Sequence, residues 1–303
     1  MAGLQRIDHA KVHVTQLERA LQFYTEVMGL VELDRRGDTV YLGCGLDDNF
    51  DLAVAEGGTG IEHFAVRATD ASVVDDYEDR LTGADVAVER VDGAEPGQVA
   101  GVRFDLPTGV PMEVVAVADE AYEHSTDARP GRAGHAPSTV DHVQWFTPDL
   151  GADLAFLRDT VGMDVSDVAG PRDDPEIAFA RCNTLHHDIA LKAMPEDGPE
   201  HASLHHLAWG FDSIDHMKLF LDTTAGHGME FERGIGRHYA GDNLFAYFWE
   251  PGGNRFEMCA EMAVVKTPEP GHTEDYESAT TAWGPGAPDS FAEGSGLVRD
   301  GED

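Results

Sequence analysis

Residues 7–30, IDHAKVHVTQLERALQFYTEVMGL, and residues 140–163, VDHVQWFTPDLGADLAFLRDTVGM, spell the same plan twice. Each opens on a short apolar strand containing Asp-His, passes a polar turn and runs into an amphipathic helix closed by glycine. In the first, Leu17, Ala20, Leu21 and Tyr24 make an i, i+3, i+4, i+7 stripe, and Thr15 with Glu18 predicts a capping box. Leu150, Leu154, Leu157 and Val161 make the stripe of the second, and Gly29 and Gly162 supply the stops. A further pair, GIEHFAVRATDASVVDDYEDRL at 60–81 and LHHLAWGFDSIDHMKLFLD at 204–222, again puts a histidine-bearing strand before a helix. Alternating segments such as DTVYLGCGL, FDLAVAE, EIAFARCN, HDIALKA and LFAYFWE then suit strands. A period of roughly 50–60 residues outweighs any local propensity, because each unit must bury its apolar face on a neighbour. The prediction is an α+β chain of four βαβββ modules, grouped two by two.

The expected layout is one pair of modules over residues 1–118, a polar linker over 119–137 (DEAYEHSTDARPGRAGHAP), and a second pair over 138–263. An acidic, Gly/Pro-containing tail follows over 264–303, expected to drape over the surface rather than join the core.

Charge limits the partners. Fifty-seven acidic residues oppose 21 basic ones, a formal net charge of −36, and only Lys11, Lys192, Lys218 and Lys266 are lysines. Such a surface repels nucleic acid and anionic membranes. Because the carboxylates are spread along the whole chain, they read as adaptation to molar salt, resembling halophilic archaeal proteins. No apolar run approaches the ~18–20 residues of a membrane span, and no signal-peptide pattern opens the chain, so a soluble, cytoplasmic protein is expected. Cys44, Cys182 and Cys259 form no disulfide or zinc pattern.

The repeats align three ionisable residues per half: His9, His63 and Glu113 in the first, His142, His206 and Glu257 in the second. A carboxylate such as Glu257, set among apolar strand residues, costs several kcal/mol to bury unless it is paired or bound to a metal. Two histidines and one carboxylate on rigid strands are what a facial iron(II) triad needs, leaving the other positions open. Alternation puts His206 with Ala208 and Gly210, and His205 on the opposite face with Leu207 and Trp209. Glu257 falls with Arg255 and Cys259.

The stretch GRHYAGDNLFAYFWEPGGNRFE carries a specific signature: Gly236, His238, Tyr247, Glu250, Pro251, Gly253 and Glu257, with Ala246 where a larger residue is usual. With it, residues 5–262 resemble a two-domain type I extradiol ring-cleavage dioxygenase of the vicinal oxygen chelate superfamily, closest to the catechol 2,3-dioxygenases. The resemblance implies paired vicinal-oxygen-chelate domains, the second one catalytic, and a homo-oligomer, with a tetramer favoured. It implies iron(II), with manganese(II) as the alternative, on His142, His206 and Glu257. It further implies that a catechol and dioxygen meet there, and that the ring is cleaved beside its two hydroxyls to a muconic semialdehyde. The family's acid/base histidine falls on His187, because Asp188 follows it directly; His186 is the rival, pointing the other way. His238 and Tyr247 match the family's histidine and tyrosine near bound substrate. Gln144, on the His142 face, and Arg233 are expected at the pocket. Arg233 could pair with the carboxylate of homoprotocatechuate, whereas Arg237 reads as a surface ion pair.

In the first half the alignment puts Phe50 opposite His187 and Arg103 opposite Tyr247. Catalysis is therefore expected in the second half alone. The His9, His63 and Glu113 set is either a vestigial metal site or, the preferred reading, a buried hydrogen-bonded cluster. A glyoxalase-type isomerase and a metal-free binding protein on the same fold are the competing readings; the first has no use for the His187, His238 and Tyr247 set, and the intact ligand residues argue against the second.

Overall fold

The computed structural model describes residues 3–118, 130–195 and 201–296. The expected linker thus lies in large part, at 119–129, outside the described residues. Each repeat folds as read, and the order is the same in both halves. The first sheet is built from β1 (Leu4–Val14), β2 (Val31–Arg36), β3 (Thr39–Gly43), β4 (Leu52–Glu56), β5 (Gly60–Ala68), β6 (Glu89–Arg90), β7 (Gln98–Asp105) and β8 (Pro111–Val117). Its order is β2-β3-β4-β1-β5-β8-β7-β6. The second sheet uses β9 (Thr139–Thr147), β10 (Asp164–Ala169), β11 (Ile177–Arg181), β12 (Ile189–Ala193), β13 (Ser203–Phe211), β14 (Arg233–Arg237), β15 (Leu244–Trp249) and β16 (Arg255–Ala260). It repeats that order and adds β17 (Gly271–Thr273) beside β10. In each sheet the first strands of the two modules pair antiparallel, β1 with β5 and β9 with β13. Each also pairs parallel with the last strand of its own module. The histidines near the sheet centre and the glutamates on β8 and β16 are thereby brought side by side.

The module helices are α1 (Leu17–Gln22), α2 (Ala71–Gly83), α3 (Leu150–Phe156) and α4 (Ile214–Gly226). At matching places α1 and α3 widen into a π-type turn, Phe23–Val27 and Leu157–Val161. Asp70, Asp149 and Ser213 cap the other three helices through their side chains. The capping box expected at α1 does not form. Gln16 is its N-cap, Thr15 Oγ1 donates to the Gly252 carbonyl at 3.2 Å, and the Glu56 carboxylate accepts from Leu17 N at 2.9 Å. Tertiary partners outcompete the local motif.

One apolar core runs through both halves. Tyr24 stacks on Phe256, Phe64 packs on Trp145, and the buried Tyr77 hydroxyl donates to the Val161 carbonyl at 2.6 Å. The Pro-Gly-Gly turn between β15 and β16 docks on the first half. Asn254 Nδ2 donates to the His13 carbonyl at 2.9 Å, and Asn254 Oδ1 accepts from Gly60 N at 2.7 Å. A Cβ on Gly252 would lie 2.5 Å from Val14 Cγ1, and Gly253 sits at φ 104°, so both glycines are required there.

The expected draped tail is a correction. Residues 271–296 add β17, the short helix α5 (Tyr276–Thr280) and a 3₁₀ turn (Asp289–Ala292) to the second sheet. Phe291 packs on Tyr247 and His205. Acidic composition hid a few well-placed aromatic and backbone contacts.

Candidate metal centre and its cavity

Tyr247 on β15 lies directly across from Glu257 on β16, so the turn between them sets both side chains in one pocket. His142 comes from β9 and His206 from β13. The three donor atoms converge: His142 Nε2 to Glu257 Oε2 is 3.1 Å, His206 Nε2 to Glu257 Oε2 is 2.9 Å, and the two Nε2 atoms are 3.2 Å apart. All three residues are buried.

Neighbours aim these donors. His142 Nδ1 lies 2.7 Å from Asp141 Oδ1, which holds a proton on Nδ1 and turns Nε2 inward. His206 Nδ1 lies 2.6 Å from His205 Nδ1. Burial pulls His142 down, but the Asp141 and Glu257 carboxylates outweigh it and raise its pKa to about 9. For His206 burial wins over the same Glu257, and the pKa falls to about 4. Burial favours the neutral form of Glu257, yet His142, His206 and His238 hold it well below the usual carboxylate range. Beyond the N–H of each neutral ring, the pair therefore holds one further proton, and it sits on His142 because Asp141 backs it.

The donor set fits a divalent ion. Cis donors around an octahedral first-row metal with bonds of about 2.1 Å stand about 3 Å apart. Glu257 Oε1 is buried with no hydrogen-bond partner among the described residues. His238 Nε2 stands 3.5 Å from it. A buried carboxylate left half-satisfied beside two convergent imidazoles asks for a cation.

Around this centre lies a cavity lined by His142, Gln144, His187, His238, Tyr247 and Arg233, among others. His187, rather than His186, lines it, and the His187 ring stands 4.3 Å from that of His142. His186 turns to Asp167, its Nε2 2.6 Å from Oδ2, and its Nδ1 lies 2.9 Å from His187 Nδ1. With His186 Nε2 donating to Asp167, its Nδ1 must accept from His187 Nδ1–H, so His187 Nε2 keeps its lone pair. Burial, with His142 and His186 nearby, pushes the His187 pKa well below the ordinary value. Tyr247 OH and His238 Nε2 are 3.0 Å apart, and His238 Nδ1 bonds the Thr280 carbonyl on α5. Burial, then Glu257, raises the Tyr247 pKa well above 10.

Arg233 is buried with its guanidinium 4.0 Å over Phe245, donating to the Pro285 carbonyl at 3.0 Å and Thr281 Oγ1 at 2.7 Å. Arg237 is tied to Glu261 at 2.6 Å.

Three features escape the sequence. His205 does not face the core with Leu207 and Trp209. A bulge sets two residues of β13, His205 and His206, against one step of β9, and His205 turns to the cavity. Bulges leave no composition signal, although the doubled histidine was available to arouse suspicion. Tyr276, Ala279, Thr280 and Phe291 close the cavity from the tail. Asn243, buried, completes the wall beside Cys259.

In the first half, His9, His63 and Glu113 also converge, joined by Glu95, which strand patterning could not place. Phe50 stands 4.3 Å from His9, as His187 does from His142.

The family model described as Glyoxalase/Bleomycin resistance protein/Dioxygenase superfamily matches residues 6–114 and 139–258. The manganese-dependent 2,3-dihydroxybiphenyl 1,2-dioxygenase of Geobacillus genomosp. 3 is 26% identical over 300 residues, spanning 91% of this chain and 92% of that protein. The metapyrocatechase of Geobacillus stearothermophilus is 25% identical over 304 residues, spanning 94% and 91%. Among solved structures, the Mn(II)-bound glyoxalase from Novosphingobium aromaticivorans superposes with a TM-score of 0.84 at 26% identity, covering 99% of this chain and 97% of that one.

Proposed function

This chain belongs to the glyoxalase/bleomycin resistance protein/dioxygenase superfamily, and on that premise we propose that it is an extradiol dioxygenase. In this reading it opens a catechol with dioxygen at a mononuclear Fe(II) centre held by His142, His206 and Glu257, Mn(II) being the alternative metal. The observation that carries the reading is the convergence of those three donors, 2.9–3.2 Å apart, in one cavity with His187, His238 and Tyr247. Relatives named as a 2,3-dihydroxybiphenyl 1,2-dioxygenase and a metapyrocatechase over nine-tenths of the chain support it. Unsubstituted catechol is the first substrate reading, giving a 2-hydroxymuconic semialdehyde. Homoprotocatechuate is the alternative that Arg233 would favour, with its guanidinium at the cavity wall.

When bound, the metal would supply a Lewis-acid centre with open positions for the two catechol oxygens and for dioxygen. The protein's own groups do the rest. Tyr247 OH and His238 Nε2, held 3.0 Å apart, orient the diol oxygens. The carbonyl of Thr280 keeps His238 in place from the far side. His187, neutral because it is buried among other histidines, takes a proton on Nε2 and returns it during ring opening. Its Nδ1 proton is retained by the hydrogen bond to His186, itself anchored on Asp167. Phe179, Tyr276 and Phe291 wall the cavity and exclude water.

We read the acidic surface as an adaptation to high salt, supported by the charge of −36. A homo-tetramer is carried over from the family resemblance, and sedimentation in high salt tests it. No helix among the described residues is long and apolar enough to cross a membrane.

The test is anaerobic loading with Fe(II) or Mn(II), then dioxygen with catechol, 3,4-dihydroxyphenylacetate and 2,3-dihydroxybiphenyl. A yellow product with one dioxygen consumed per ring supports the proposal. No product from any of them sinks it. The Mn(II)-bound glyoxalase of the same fold gives the second reading weight; isomerisation of a glutathione hemithioacetal, with no dioxygen uptake, would establish that class instead.

A further inference from the structure

The first half holds a second convergent donor set that the proposed chemistry does not use. His9 Nε2 and His63 Nε2 are 3.3 Å apart. Glu95 Oε2 lies 3.2 Å from His9 Nε2 and 3.4 Å from His63 Nε2, and Glu113 Oε2 is 3.6 Å from His63 Nε2. All four residues are buried. Asp8 Oδ1 lies 2.6 Å from His9 Nδ1, the arrangement Asp141 makes with His142. In spacing and support, this cluster repeats the candidate centre of the second half.

Arg103 makes the difference. It stands across the ladder from Glu113, the place Tyr247 takes opposite Glu257. Its Nε donates to Glu113 Oε2 at 2.6 Å, and its Nη2 lies 3.0 Å from Glu95 Oε2 and 3.3 Å from His63 Nε2. A guanidinium has no acceptor, so His63 Nε2 can face it only with a lone pair. Arg103 thus occupies the lone pairs that a metal ion would need. Gln98 Nε2 takes the remaining Glu113 oxygen at 2.6 Å.

We propose that Arg103 is a built-in cation standing in for a divalent metal at a second His9/His63/Glu95/Glu113 centre, and that removing its charge turns the cluster into a metal-binding site. Two nitrogen and two oxygen donors suit Mn(II), Fe(II) or Zn(II). The Arg103 side chain is 24% exposed, so its removal also opens a path from solvent.

The experiment uses the full chain in a His206→Ala/Glu257→Ala background, where the second-half set cannot hold an ion. Arg103→Ala and Arg103→Gln are compared with the arginine parent after equilibration with Mn(II) or Zn(II). Readouts are metal per chain, the electron paramagnetic resonance of bound Mn(II), and the melting midpoint. The expected result is essentially no ion in the parent and about one per chain in each variant, lost again on adding Glu95→Gln. The melting midpoint of each variant should rise with Mn(II), and that of the parent should not. Stoichiometric Mn(II) in the parent, or folded variants that bind none, would overturn the proposal. If a variant folds only with Mn(II) present the proposal stands; if both fail to fold with and without Mn(II), it falls.

Discussion

Tyr247 is the direct cross-strand partner of Glu257. One hairpin therefore delivers a hydroxyl and a carboxylate to the same cavity. The equivalent hairpin of the first half pairs Arg103 with Glu113 and fills the same space with a guanidinium. At this ladder position the two halves set different groups against the glutamate, a phenol in one and a guanidinium in the other.

Outer support is the first thing to test. Asp141→Asn should weaken metal affinity about 10–100-fold, because it loosens the Nδ1 anchor of His142. Asp8→Asn, its counterpart in the first half, should leave affinity at the second-half centre unchanged. Competition with a chelator measures both, and equal effects would refute the assignment.

Proton transfer is assigned to His187. His187→Phe should lower kcat by about 10²–10⁴ while metal content and melting midpoint stay near the parent's. The first half already accommodates a phenylalanine in this place, Phe50 against His9. An unchanged kcat would remove His187 from the mechanism.

Metal uptake should depend on pH in a definite direction. The carboxylates beside His142 raise its pKa to about 9, so near neutral pH the metal-free site carries a proton there that a metal must displace. His206, at about 4, carries none. Affinity should therefore rise about tenfold per pH unit from 6 towards 9, with about one proton released per ion. Calorimetry in buffers of different ionisation enthalpy counts that proton; zero release would contradict the shared-proton picture.

Salt should stabilise the fold. At 1 M salt the screening length shrinks to about 3 Å, so self-repulsion among 57 acidic side chains is largely quenched. The melting midpoint should climb steadily between 0.1 and 2 M KCl, and a flat or falling profile would argue against the high-salt reading.

The tail segment belongs to the site. Phe291→Ala removes a ring packed on both Tyr247 and His205, and should raise KM about tenfold, for the loss of roughly 1.4 kcal/mol of aromatic packing. Metal content should not move. A loss of metal instead would recast Phe291 as support for the centre.

Much of this was legible in the chain. Module boundaries followed from a repeated Asp-His strand, an i, i+3, i+4 helix and its glycine stop, since these are local periodicities and every copy must bury the same face. The ligand-type residues His142, His206 and Glu257 stood out because the repeat aligned all three with His9, His63 and Glu113, and for Glu257 the hairpin signature gave a second pointer. The tertiary structure decided what depends on neighbours distant in sequence. A bulge in β13 turned His205 towards the cavity against strand alternation. Asp167 drew His186 away and left His187 at the pocket. The segment after β16, acidic and unpatterned, became a wall because Thr280 and Phe291 meet His238 and Tyr247. Glu95 and Arg103 closed the first-half cluster by ion pairing across a loop and a ladder. Periodicity encodes which face a residue shows; which charge it meets there is a matter of three-dimensional approach, and that was set only when the sheets came together.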